Sequence, residues 1–240
     1  MVTTSDILSF ASSRKFFTRK ELIFHLEQEA KLGSPRSLSE QLHRLLKSGQ
    51  IKRVERGVYT FLEDTRRSFS VVSSEETLFL HQQLKTQFPF LDICIWSVSN
   101  LISYMHHIPN LSLLFVEVEN DAVESVFNSL KSNSNRLVFM EPTLTDYERY
   151  IHTNDTIVVC PLVSESPLQI VDGLKTPTIE KILVDIVGDV AFSFLQGAEI
   201  NEVYTTIFER HNVNKNKLIR YATRRGRKEK VEQLIKANRL

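Results

Sequence analysis

Long apolar runs are missing from this 240-residue chain, and none approaches the roughly 18–20 residues that a helix needs to cross a bilayer. The opening MVTTSDILSF has neither the basic flank nor the apolar centre of a signal peptide, so a cytoplasmic protein without a membrane partner is expected. Glycine is scarce, at seven residues, and no P-loop, GxGxxG or GxSxG occurs; nucleotide-cradling loops and nucleophile elbows are therefore not expected. There are only two cysteines, Cys94 and Cys160. Both lie inside apolar runs and read as small core residues rather than as a disulfide. No Cys-x-x-Cys or His-x-x-x-His spacing is present, and the adjacent His106 and His107 point apart, so neither a metal nor another cofactor is expected. Internal repeats and low-complexity segments are also absent.

Candidate catalytic sets are equally thin. A nuclease of the restriction type needs an acidic residue and a nearby Asp/Glu-x-Lys to hold a metal and a water. Glu117 and Glu119 end a strand-like run, but no lysine stands two residues beyond either, and the single Glu-x-Lys, Glu29 to Lys31, lies in the N-terminal region. A nucleotidyltransferase would pair Gly-Ser with a following Asp-x-Asp, and Gly33-Ser34 has none. The sequence therefore points to a protein that is not an enzyme. The alternative is a nucleic-acid-processing enzyme in which Glu117, Glu119 and Asp121 converge with a lysine or histidine from elsewhere.

What is present is a globular composition, 42% hydrophobic and 25% charged, which excludes a disordered chain. The net charge of +1 hides strong segregation. Residues 1–67 hold 13 Lys/Arg against 8 Asp/Glu (+5), residues 68–214 hold 7 against 19 (−12), and residues 215–240 hold 10 against 2 (+8). A phosphate near either end meets the local field rather than the net charge, so the near-neutral total does not argue against nucleic-acid binding.

The most informative stretch runs from Ser37 to Phe61. Ser37 and Glu40 stand at capping-box spacing, Leu38, Leu42, Leu45 and Leu46 share a helical face, and Gly49 ends the helix. Ile51 to Val54, a turn at Glu55-Arg56-Gly57, and Val58, Thr60 and Leu62 then read as a hairpin, with Tyr59 a packing residue. Earlier, Ser5–Ala11 reads as a short helix, and Thr18 with Glu21 caps a second, whose inward face is Leu22, Ile23 and Leu26. This order predicts a winged helix-turn-helix over residues 1–64. Arg36, Ser39, Gln41, His43, Arg44 and Lys47 lie off the apolar stripe, and these residue types hold phosphates or reach base edges. On the wing, Lys52, Arg53 and Arg56 would grip the backbone beside the helix.

Residues 65–70 read as a linker and 71–214 as an acidic, mixed α/β domain. That domain has strands near 93–98, 111–118, 136–140 and 156–160, and helices at 73–88, 121–131 and 177–190. Trp96, the single tryptophan, reads as core. Residues 215–240 form a basic helical segment in which Arg224, Arg225 and Arg227 are further candidate DNA contacts, or charges packed against the acidic body.

Two regions taken together resemble the AbiEi-type antitoxins, the antitoxin half of abortive-infection (type IV) toxin–antitoxin pairs. GQIKRVERGVY at Gly49–Tyr59 is similar to their wing, and KTPTIEKILVDIVGD at Lys175–Asp189 to a proline-led helix of their second domain. Cys94–Met105 resembles the strand-to-helix segment between the two. The resemblance implies a winged-helix transcriptional regulator that binds double-stranded DNA at its own promoter, represses its operon and counters a nucleotidyltransferase-like toxin encoded nearby. A homodimer on paired half-sites would be the usual binding mode. A module whose winged helix binds protein remains a third reading.

Overall fold

Each N-terminal helix starts at a side chain that satisfies its free N–H groups. Thr3 and Asp6 form a reciprocal capping box that opens α1 (Thr4–Ser12). A two-residue strand, β1 (Phe17–Thr18), was not expected. Thr18 and Glu21 repeat the box at α2 (Arg19–Gln28), where the sequence placed it. For α3 (Pro35–Lys47) the expected Ser37–Glu40 box does not form: Ser34 is the cap, and its hydroxyl accepts from the Ser37 N–H. Pro35, whose φ is already helical and whose missing N–H costs nothing there, starts the helix earlier. Leu38, Leu42 and Leu45 are buried, Leu46 is half-buried, and Gly49 (φ +73°) takes the left-handed position after the C-cap.

The hairpin follows as β2 (Ile51–Glu55) and β3 (Val58–Phe61), joined through Arg56 and Gly57 (φ +83°). The sheet order is β1-β3-β2, antiparallel throughout. Its inward residues are Ile51 and Tyr59, while Val54 and Leu62 are exposed. An irregularity between Arg53 and Glu55 shifts the pairing, and Val54, three residues on from the buried Ile51, falls on the outward face. Tyr59 stacks on Phe17 with ring centroids 5.6 Å apart, the packing role expected of it. These elements, in this order, are those of a winged helix-turn-helix.

The computed structural model describes residues 2–32, 34–62, 66–107, 110–151, 155–195 and 197–240. It divides into two units, Met1–Thr65 and Arg66–Leu240. Gly33, of the Gly33-Ser34 pair, and residues 63–65 of the expected boundary and linker lie outside the described residues. Residues 66–70 belong to the second unit. The Arg67 N–H donates to the Arg210 carbonyl, the Asn212 N–H donates to the Arg67 carbonyl, and Phe69 packs on the core.

The second unit is mixed α/β. Helix α4 (Glu75–Gln87) is capped by Ser74, one residue beyond the expected Ser73. Strands β4 (Ile93–Ser97) and β5 (Leu113–Val118), helix α5 (Val123–Asn133), strand β6 (Leu137–Met140), helix α6 (Leu144–Arg149) and strand β7 (Thr156–Pro161) follow. A hairpin of β8 (Leu168–Val171) and β9 (Leu174–Pro177) was not expected; it turns on Asp172-Gly173, both at positive φ. The sheet order is β6-β7-β5-β4-β9-β8, parallel at β6/β7, β7/β5 and β4/β9 and antiparallel at β5/β4 and β9/β8.

Period-two alternation divides the core between the two faces of this sheet. Ile93, Ile95, Leu114, Val116, Ile157 and Val159 pack with α4 and α5. Cys94, Trp96, Phe115 and Val158 pack instead with α7 (Ile179–Asp185), α8 (Ala198–Arg210), α9 (Lys215–Arg224) and α10 (Lys228–Ala237). The expected helix 177–190 is shorter because Pro177 ends β9 and the chain leaves the helix at Ile186. The fold is thus α/β of the α+β kind, with a winged head and a helical C-terminus.

Candidate nucleic-acid interface and the charged centre of the body

At 3.6 residues per turn, Arg36, Glu40, His43 and Lys47 line the side of α3 opposite Leu38, Leu42 and Leu45. Arg36, Ser39, His43, Arg44 and Lys47 are exposed, and Gln41, at the edge of the buried stripe, is half-buried. Two of these residues are engaged locally. Arg36 Nε pairs with Glu40 Oε1 at 3.2 Å, and Ser39 accepts from Arg19 Nη2 at 2.9 Å while donating to the Pro35 carbonyl. Gln41, His43, Arg44 and Lys47 make no side-chain hydrogen bond or ion pair with another described residue. On the wing, Lys52, Arg53 and Arg56 are exposed. Arg53 donates to the Glu55 carbonyl at 3.2 Å, and Lys52 and Arg56 have no such partner among the described residues. Helix and wing therefore present Arg44, Lys47, Lys52 and Arg56 as unneutralised cations.

The C-terminal arginines are placed differently. Arg225 Nη2 and Arg227 Nη2 both reach Asp189 Oδ1 at 2.5 Å, and Arg227 also donates to the carbonyls of Val184 and Asp185. Gly188 leaves room for this approach, since a Cβ there would stand 2.8 Å from Arg227 Nε. Arg224 donates to the Ser164 hydroxyl. All three arginines are thus held by groups of the body.

What they surround was not anticipated. Helix α7 is buried along its whole length, including Glu180, Lys181 and Asp185. Lys181 Nζ lies 2.7 Å from both Glu117 Oε1 on β5 and Asp185 Oδ2 one turn on. Glu117 Oε1 also accepts from Trp96 Nε1 at 2.8 Å, and Asp185 Oδ1 accepts from the Tyr221 hydroxyl at 3.1 Å. Glu180 instead orders the start of α9, accepting from the Asn214 N–H at 2.9 Å. Burial alone would lower the Lys181 ammonium, but the adjoining Asp185 and Glu117 carboxylates outweigh it and hold Lys181 protonated well above its ordinary range. For Arg225, Asp189 and Asp185 likewise outweigh burial.

Beside this cluster is a cavity of about 510 Å³ whose lining includes Trp96, Phe115, Glu117, Tyr147, Lys181 and Phe192. Trp96 stacks on Phe115 at 4.9 Å and lies 6.1 Å from Phe192, nearly parallel to it. Trp96 is core, as expected, and is also cavity wall. Cys94 and Cys160 are free thiols, pushed upward in pKa by burial. They pair with Glu117 from opposite sides, on β4 and β7, so two inter-strand spacings of about 4.8 Å separate them, beyond the reach of a disulfide.

Of the three carboxylates that a catalytic body would draw together, only Glu117 meets a lysine; Glu119 and Asp121 are exposed. No metal-ligating group of three occurs among the described residues. His106 and His107 are tied through their backbone N–H groups to Glu199, which also takes His107 Nδ1. One signal could have found the charged centre: Lys181 and Asp185 stand four apart inside the apolar run IEKILVDIV, on a helix otherwise fit only for burial.

No helix among the described residues is long and apolar enough to cross a membrane. Comparison with curated proteins returned no match. Residues 5–61, from α1 through β3, match the model described as "Transcriptional regulator, AbiEi antitoxin", so the head is similar to that of antitoxin-type regulators. The match ends at residue 61, so the body segments likened to that family lie outside it. A second model matches residues 37–240, taking in α3, the wing and the whole body, and by that match the chain belongs to the family described as "Family of unknown function (DUF6577)".

Proposed function

We propose that the chain is a transcriptional repressor of antitoxin type that binds double-stranded DNA at its own promoter. Helix α3 enters the major groove, the β2–β3 wing holds the backbone, and the body carries the part that counters a nucleotidyltransferase-like toxin encoded beside it. The observation that carries this reading is the set of exposed, unneutralised cations Arg44, Lys47, Lys52 and Arg56 on the helix and wing of a segment matching antitoxin regulators. Arg36 and Arg53 add to the set, since an exposed ion pair or a single carbonyl contact is readily exchanged for a phosphate. Arg225 and Arg227, already paired with Asp189, contribute little to binding in this scheme.

The test is a fluorescence-anisotropy titration of the full chain against its own promoter and a scrambled duplex. The expected result is tighter binding to the promoter, with at least a tenfold loss in an Arg53→Glu, Arg56→Glu double variant, because reversing two phosphate-facing charges replaces attraction with repulsion. Equal affinity for both duplexes, or binding indifferent to the wing charges, would overturn the reading.

A further inference from the structure

The cavity beside α7 has the volume of a small-molecule site, within the usual ~300–1,000 Å³. Two groups of its lining that can donate a hydrogen bond are left without an acceptor. Tyr147 is 3% exposed, and its hydroxyl has no hydrogen-bond partner among the described residues. Burial pushes its pKa up, so the hydroxyl keeps its proton. Arg225 Nε is shielded from water and is likewise unpartnered: Asp185 Oδ1 stands 3.5 Å away and no hydrogen bond forms. Buried polar groups are normally paired, and two unpaired donors in one lining point to an acceptor that has yet to enter.

The rest of the lining decides what carries that acceptor. Glu117, Glu141, Asp185 and Asp189 outnumber the cations Lys181 and Arg225, so the wall is negative overall and repels an anion. Glu117, Asp185 and Asp189 each accept from a cation already, and an ammonium or amidinium has no lone pair to offer Tyr147. Trp96, Phe115 and Phe192 stack on one another, so they supply apolar surface rather than an open ring face. Val158 and Val163 extend that surface. We propose that this cavity binds a small uncharged carbonyl compound, its oxygen accepting from the Tyr147 hydroxyl and its apolar part against Phe115, Val158 and Phe192. This inference does not depend on the DNA-binding reading, because every residue it uses lies in the body.

Four probes of nearly the same shape separate the possibilities: acetophenone, ethylbenzene (no acceptor), benzoate (an anion) and benzamidine (a cation). Each is titrated into the full-length protein and followed by saturation-transfer NMR. The expected outcome is saturable binding of acetophenone, about fivefold tighter than ethylbenzene, as one net hydrogen bond provides, with benzoate and benzamidine weaker than both. In Tyr147→Phe, acetophenone binds no better than ethylbenzene, while the ethylbenzene affinity is unchanged and so shows the cavity intact. Should that variant fail to fold, the order of the four probes on the wild type still decides. No saturable binding of acetophenone, ethylbenzene or either charged probe binding as tightly, or an acetophenone affinity unchanged in Tyr147→Phe would each overturn the proposal.

Discussion

Lys181 shows how much one side chain can organise. It sits 2% exposed between Glu117 and Asp185, 2.7 Å from each. Burying three charges is costly, and only their mutual hydrogen bonds offset it. Truncating the ammonium therefore hurts more than deleting a surface pair, because two carboxylates are left in the core with half their partners gone. Lys181→Met is expected to lower the stability of the body by about 3–5 kcal/mol. Urea denaturation followed by Trp96 emission reads this directly, since that indole donates to Glu117 and reports only the body. Glu117→Gln keeps an acceptor for the indole and leaves Asp185 to Lys181, so it should cost clearly less. If Lys181→Met lost under 1 kcal/mol, α7 would be held by its apolar residues and the ion cluster would be incidental.

Among the elements, α3 separates what spacing reveals from what it does not. The leucine stripe and the Gly49 stop were legible because both are local: a helix repeats every 3.6 residues, and a left-handed position after its end favours glycine. The cap was misread because Ser34 and Ser37 both precede an apolar residue, and Pro35 decides between them by fixing the first turn. Ser34→Ala should accordingly cost about 1 kcal/mol of head stability and Ser37→Ala distinctly less. Far-ultraviolet circular dichroism through thermal unfolding would show this, and the reverse order would restore the Ser37 box. The β8–β9 hairpin was also legible in principle, since Asp-Gly between short apolar runs is a strong two-residue turn signal. The charged centre was legible only in part: Lys181 and Asp185 stand four apart in an apolar run, but Glu117 is 64 residues from Lys181 and no local pattern records their meeting. The same holds for Arg225 and Arg227, whose basic run reads as solvated until Asp189 is brought beside it.

For the whole molecule, the charge that matters is where it stands rather than its sum. The net +1 hides this: residues 1–65 hold 11 Lys/Arg against 8 Asp/Glu (+3), and six of those cations lie on α3 and the wing: Arg36, Arg44, Lys47, Lys52, Arg53 and Arg56. On the proposed reading each phosphate contact releases a condensed counterion, so log affinity falls by about 0.9 per log unit of salt for every contact. Six contacts give a slope of roughly −5 for one head. Only charges within a Debye length of the phosphates, about 10 Å at 0.1 M salt, act on them at close to full strength. Titrations of promoter DNA at several salt concentrations should thus give a steep slope in the wild type and one shallower by about 2 in the Arg53→Glu, Arg56→Glu variant. If Arg224, Arg225 and Arg227 also held phosphates, replacing them with glutamine would flatten the slope further. Their engagement with Ser164, Asp185 and Asp189 predicts instead that the slope stays where the head sets it. A slope near zero in the wild type would mean that α3 and the wing meet an uncharged surface, and the head would then be a protein-binding module.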